Sequence, residues 1–124
     1  MNEALILKKS KAFALRIIRL CQYLKSEKRE FVISKQVLRS GTCIGANVAE
    51  AEYGISRSDF LAKMYIALKE CAETLYWLEL LRESDYLDDK AYRSLLEDGE
   101  ELRRMLSAIT KSTRKNSSLL TRHS

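Results

Sequence analysis

The chain has 124 residues, no proline, only four glycines, three cysteines and one histidine, with a formal net charge of +5. That length holds one domain of about 100–200 residues, and the scarcity of turn-forming residues excludes most strand and hairpin architectures in favour of long helices. No apolar run approaches the roughly 20 residues that span a bilayer, and the odd cysteines Cys21, Cys43 and Cys71, with no Cys-x-x-Cys pair, read as reduced cytoplasmic thiols.

The first predicted helix runs from about Glu3 to Lys28, with Ile6, Phe13, Ile17, Leu20, Cys21 and Leu24 recurring every three or four residues. Ser26-Glu-Lys-Arg-Glu30 is a charged connector. Helix two is expected from about Ser34, its candidate N-cap, to Tyr53, with Val37, Gly41, Ile44, Val48 and Ile55 as its stripe. Gly54 offers a stop and Ser56 or Ser58 a new cap. Helix three then places Leu61, Met64, Leu68, Cys71, Leu75 and Leu78 in a heptad seam. After Ser84-Asp-Tyr-Leu-Asp-Asp89, helix four carries Ala91, Leu95, Gly99, Leu102, Leu106 and Ile109 and is expected to end near Ser112. The pattern predicts an all-α, antiparallel up-down-up-down four-helix bundle over residues 1–112, with a flexible basic tail over 113–124.

Chemistry is sparse. Di-iron bundles need Glu-x-x-His pairs on facing helices, and His123 stands alone near the chain end. Nucleophile systems that rely on imidazole lack their base. Ser40-Gly-Thr-Cys-Ile-Gly-Ala46 is neither G-x-G-x-x-G nor followed by Lys-Ser/Thr. No catalytic residue, metal site, cofactor or small-molecule substrate is expected. An undetected enzyme would need strongly perturbed carboxylates among Glu50, Glu70 and Glu73.

Helix two is unusual in crowding Ser, Gly, Thr and Ala into its interior, where each glycine costs about 1 kcal/mol relative to alanine. Close approach of another helix offsets that cost. Arg39, Cys43, Asn47 and Glu50 form a polar strip on another side. Arg39 and Glu50 lie three turns apart, so each is placed to reach a neighbouring helix or subunit. The strip is either solvated or buried to fix register.

Leu38-Arg-Ser-Gly-Thr-Cys-Ile-Gly-Ala-Asn-Val-Ala-Glu-Ala51, Ser56-Arg-Ser-Asp-Phe-Leu-Ala-Lys-Met64, Ile66-Ala-Leu-Lys-Glu70 and Glu73-Thr-Leu-Tyr-Trp-Leu-Glu-Leu-Leu81 together resemble the 23S rRNA intervening-sequence protein family. The resemblance covers roughly Lys8 to Ser112, with glycine at position 45 where many relatives carry proline. It implies a four-helix bundle that assembles as a ring, typically a homopentamer, of no established molecular activity.

Charge is divided by block. Residues 1–40 hold ten basic and three acidic residues, residues 41–110 eight basic and fourteen acidic, and the remainder four basic ones. At 100° per residue, Lys8, Lys9, Lys11, Arg16 and Arg19 fall opposite the apolar stripe of helix one, an expected outer ridge for sequence-independent RNA or DNA binding. Ile66, Trp77, Leu80 and Leu81 lie off the seam of helix three and suggest a self-association face. The sequence therefore predicts a cytoplasmic, non-enzymatic homo-oligomer with possible nucleic-acid binding. The alternative is a purely structural ring that binds a protein partner, through the acidic surface around Glu97–Glu101.

Overall fold

The computed structural model describes residues 3–123, those at 3 and 117–123 by backbone alone. Four helices follow in order: α1 (Glu3–Ser26), α2 (Ile33–Ala51), α3 (Arg57–Glu83) and α4 (Asp89–His123). Each packs on its sequence neighbours, and α4 closes on α1 along a shorter seam, leaving the diagonals apart. The pairings run in opposite senses. Lys9 meets Glu101 and Arg16 meets Asp98 across α1 and α4, while Arg39 meets Glu70 and Lys63 meets Glu50 across α2 and α3. This is the antiparallel up-down-up-down bundle.

The apolar stripes of α1 and α4 enter the core as the spacing predicts, with Ile6, Phe13, Ile17, Leu24, Leu102 and Leu106 fully buried. In α2 the small residues do their expected packing. A Cβ on Gly41 would lie 2.9 Å from Cγ1 and Cγ2 of Ile17, so α1 and α2 approach closely there. Ser10 is buried opposite Gly45, its hydroxyl donating to the Leu7 carbonyl at 3.0 Å. In α3 the seam turns. Met64, Cys71 and Leu78 are fully buried as expected and Leu68 and Leu75 pack half-exposed against the core, but the other fully buried residues are Ala67, Thr74 and Leu81, and Leu61 is half-exposed. The cause is the space α2 leaves: Thr74 Oγ1 lies 2.8 Å from Ser40 Oγ, two small polar side chains that satisfy each other.

The helix ends depart further from expectation. The α2 cap is not Ser34, which is buried and donates its hydroxyl to the Glu30 carbonyl at 2.9 Å. Glu30 itself, 8% exposed, turns its carboxylate back to accept the N–H groups of Val32, Ile33 and Ser34 at 3.1, 3.0 and 2.7 Å. Helix α1 ends two residues short of Lys28, with Glu30 N donating to the Leu24 carbonyl at 2.9 Å around Arg29 at φ 54°. Helix α2 stops at Ala51 rather than Tyr53, and Ile55 leaves the stripe for solvent at 95% exposure. Ser56 caps α3 by accepting Asp59 N at 3.1 Å. Helix α4 continues past Ser112, since no glycine or proline follows and residues 113–116 are tolerated at solvent-facing helical positions. The expected flexibility of 117–124 concerns residues outside the fully described part of the chain.

Candidate nucleic-acid interface

Helix α1 presents cations because its buried apolar residues occupy one side and leave much of the outer side to charge. The five expected ridge residues divide in two. Lys8, Lys11 and Arg19 are exposed, with no carboxylate paired to them among the described residues. Lys9 and Arg16 instead lie at the edge facing α4. Lys9 Nζ is 3.1 Å from Glu101 Oε1, and Arg16 donates to Asp98 Oδ2 at 2.7 Å, the Ser94 carbonyl at 3.2 Å and Ser94 Oγ at 2.9 Å. These two cations clasp the seam. Among the described residues they are the charge pairs most distant in sequence, which a reading of one helix does not reveal. Leu5, Leu15 and Ile18 are exposed on the same outer side, so the ridge is mixed rather than purely basic.

The polar strip of α2 faces α3. Arg39 donates to both Glu70 oxygens at 3.2 and 3.3 Å and also to Glu73. Glu73 in turn accepts from Trp77 Nε1 at 2.9 Å, and the indole and the guanidinium together hold its carboxyl below the usual carboxylate range. Glu50 pairs with Lys63 at 2.8 Å, while Asn47 donates to the Cys43 carbonyl within its own helix at 2.8 Å. Arg39 and Glu50 thus each reach the neighbouring helix, and Asn47 reaches none.

This chemistry is that of a stitched helix pair. A depressed Glu73 is the reverse of a general acid, which needs a raised value. Burial pushes the Cys21 thiol up to about 11 and the Cys71 thiol to about 12, which suppresses the reactive thiolate. Among the described residues no group of His, Cys, Asp and Glu side chains is arranged to hold a metal ion. A hollow of about 590 Å³ lies where Ala51, Glu52, Arg57, Phe60, Ser112 and Thr113 meet, and among the described residues neither hydroxyl is hydrogen-bonded to the Glu52 carboxylate.

Of the self-association residues, Ile66 is 40% exposed and Trp77 and Leu80 are half-buried, but Leu81 is fully buried in the core. Its placement follows from the turned α3 seam, which puts Leu81 with Ala67 and Thr74. Tyr76, exposed and edge-on to Trp77 at 5.2 Å, takes its place on the outer stripe. No described helix is long and apolar enough to cross a membrane.

The family profile described as 23S rRNA-intervening sequence protein matches residues 2–108. A solved structure from Bacteroides thetaiotaomicron, described as a protein with unknown function from the S23 ribosomal protein family, is 49% identical with a TM-score of 0.88. The similarity covers 90% of this chain and 99% of that one. No curated protein matches the chain.

Proposed function

Because the chain belongs to the 23S rRNA-intervening sequence protein family, we propose that it acts without catalytic chemistry, as a cytoplasmic homo-oligomeric bundle holding RNA or DNA phosphates on α1. The observation that carries this reading is the exposed set Lys8, Lys11 and Arg19, cations that no carboxylate of the described residues neutralises. Such contacts are sequence-independent, since a point charge on phosphate carries no base information. A ring of identical chains, five by the resemblance, repeats the set and multiplies a weak contact through avidity. Ile66, Tyr76, Trp77 and Leu80 supply an apolar face for assembly.

A second reading, a ring that binds only protein, is favoured by Leu5, Leu15 and Ile18, which set exposed apolar groups among the same cations. One pair of measurements separates them. Light scattering should return a mass near five times 14.3 kDa, and a single-chain mass contradicts assembly. Binding of labelled RNA should fall at least about ten-fold in the Lys8→Glu/Lys11→Glu/Arg19→Glu variant. Equal binding by variant and parent discards the α1 face, and absence of binding by both favours the protein-binding ring.

A further inference from the structure

A second basic surface sits at the other end of α1, about 25 Å from Lys8 at 1.5 Å per helical residue. The α1–α2 corner carries Lys25, Lys28, Arg29 and Lys35, all exposed and none ion-paired with a carboxylate among the described residues. The corner's own acids offer little compensation. Glu30 is turned inward as the α2 cap, leaving Glu27. At the same end of the bundle, Asp88 caps Ala91 N at 2.8 Å, and Asp89 is held by Arg82 and Arg93. Asp85 and Glu83 remain exposed on that α3–α4 side beside Lys90, so the excess of positive charge at this end lies on the α1–α2 side.

Two features of this corner run against local preference. Arg29 adopts a left-handed φ of 54°, uncommon for a residue other than glycine, asparagine or aspartate. The first turn of α2 contains Lys35 and no acid, the sign that a helix N-terminus disfavours. Between the cations project Phe31 at 55% exposure and Val32 at 74%, on a backbone pinned by the Glu30 carboxylate. A fixed aromatic face flanked by cations is the arrangement that stacks an unpaired base while neighbouring phosphates are neutralised. Two apolar side chains without an amphipathic helix are too little for stable membrane anchoring.

We propose that the α1–α2 corner is a contact for single-stranded nucleic acid. Lys25, Lys28, Arg29 and Lys35 hold its phosphates, and the Phe31 ring stacks on a base. The inference rests on the nucleic-acid reading above but uses a different surface. The test titrates the full chain into a fluorescein-labelled oligouridylate of about 20 nucleotides, long enough to span the corner. Phe31→Ala, checked for fold by circular dichroism, should weaken binding about five-fold or more. It should leave binding of inorganic polyphosphate, which has no base, unchanged. Lys28→Glu/Arg29→Glu should weaken both and flatten the slope of log Kd against log salt by about 0.7 per lost cation. If these variants bind like the parent while the Lys8→Glu/Lys11→Glu/Arg19→Glu variant fails, the corner is overturned and the broader reading stands. No binding by the parent overturns both. A lowered oligomer mass for Phe31→Ala makes the corner a subunit contact. Unchanged oligouridylate binding with lost binding to phosphatidylserine vesicles makes it a membrane contact, and either result overturns the inference.

Discussion

Replacing Gly41 by alanine sets two effects of opposite sign against each other. Alanine is favoured over glycine inside a helix by about 1 kcal/mol. The added Cβ, however, would lie 2.9 Å from both Cγ atoms of Ile17 and 3.2 Å from its Cβ. Those atoms sit next to the backbone of a β-branched, fully buried residue, so no rotamer change relieves the clash. Overpacking of this kind costs typically 1–3 kcal/mol, which predicts a net loss of about 1 kcal/mol for Gly41→Ala. Gly45→Ala is the internal comparison. Its Cβ would meet Ser10 Oγ at 3.3 Å and the Ser10 carbonyl carbon and Cβ at 3.6 Å, so the helix preference and the contact offset each other to within about 0.5 kcal/mol. In an Ile17→Ala background both Cγ contacts are removed and only the 3.2 Å Cβ contact remains, so the net cost of Gly41→Ala should shrink toward zero. Urea unfolding followed by circular dichroism, at fixed protein concentration because assembly couples to stability, measures all of these. A Gly41→Ala protein at least as stable as Gly45→Ala, with the same effect in the Ile17→Ala background, refutes the close α1–α2 approach.

Three further outcomes are expected. Removing the α2 cap in Glu30→Ala should lower stability by about 1–2 kcal/mol, read as a shifted urea midpoint, whereas Ser34→Ala should cost less if Glu30 is the true cap. The fluorescence of Trp77, the sole tryptophan, should report protonation of Glu73, to which it donates. Because the folded carboxyl is held below its unfolded value, its contribution to stability is present above the ordinary carboxylate pKa and is lost as pH falls through the depressed one. Arg39→Ala should move that fluorescence midpoint upward, and an unmoved midpoint removes Arg39 from the account. In the native protein a thiol reagent should label Cys43 quickly and Cys21 and Cys71 only on unfolding, since the latter two are buried with raised pKa values. Rapid labelling that persists in Cys43→Ser contradicts this.

How much of this was legible in sequence depended on what each residue faces. The stripes of α1 and α4 were readable because Phe13, Ile17, Leu102 and Leu106 recur at helical spacing and are buried, even though Leu5, Leu15 and Ile18 of α1 are exposed. In α3 leucines occur on several sides, so hydrophobicity alone set the seam on Leu61, Leu68 and Leu75. Leu68 and Leu75 do pack against the core, but the fully buried positions beside them are Ala67 and Thr74, where Thr74 fits Ser40 across the groove. The same slip placed Leu81 outside. Glu30 escaped notice as a cap because the usual signal is a short hydroxyl or amide side chain at the N-cap itself, and Val32 occupies that position. The ridge was legible as five cations in a row of turns, but which of them are engaged depends on Asp98 and Glu101, some 80 to 90 residues away in sequence. Lys28 and Arg29 read as part of a charged connector, and Phe31 just beyond it carried no signal. Only the fixed Glu30 carboxylate and the exposure of the Phe31 ring give that corner a defined surface.

The claim at the centre of the account is that unpaired cations on this bundle hold nucleic-acid phosphates. Its most direct test is the salt dependence of RNA binding by the intact oligomer, measured by fluorescence anisotropy between about 50 and 200 mM salt. Phosphate neutralisation predicts a Kd that rises at least about ten-fold over that range, with log Kd linear in log salt. No binding at the low end, or binding that salt leaves unchanged, contradicts it.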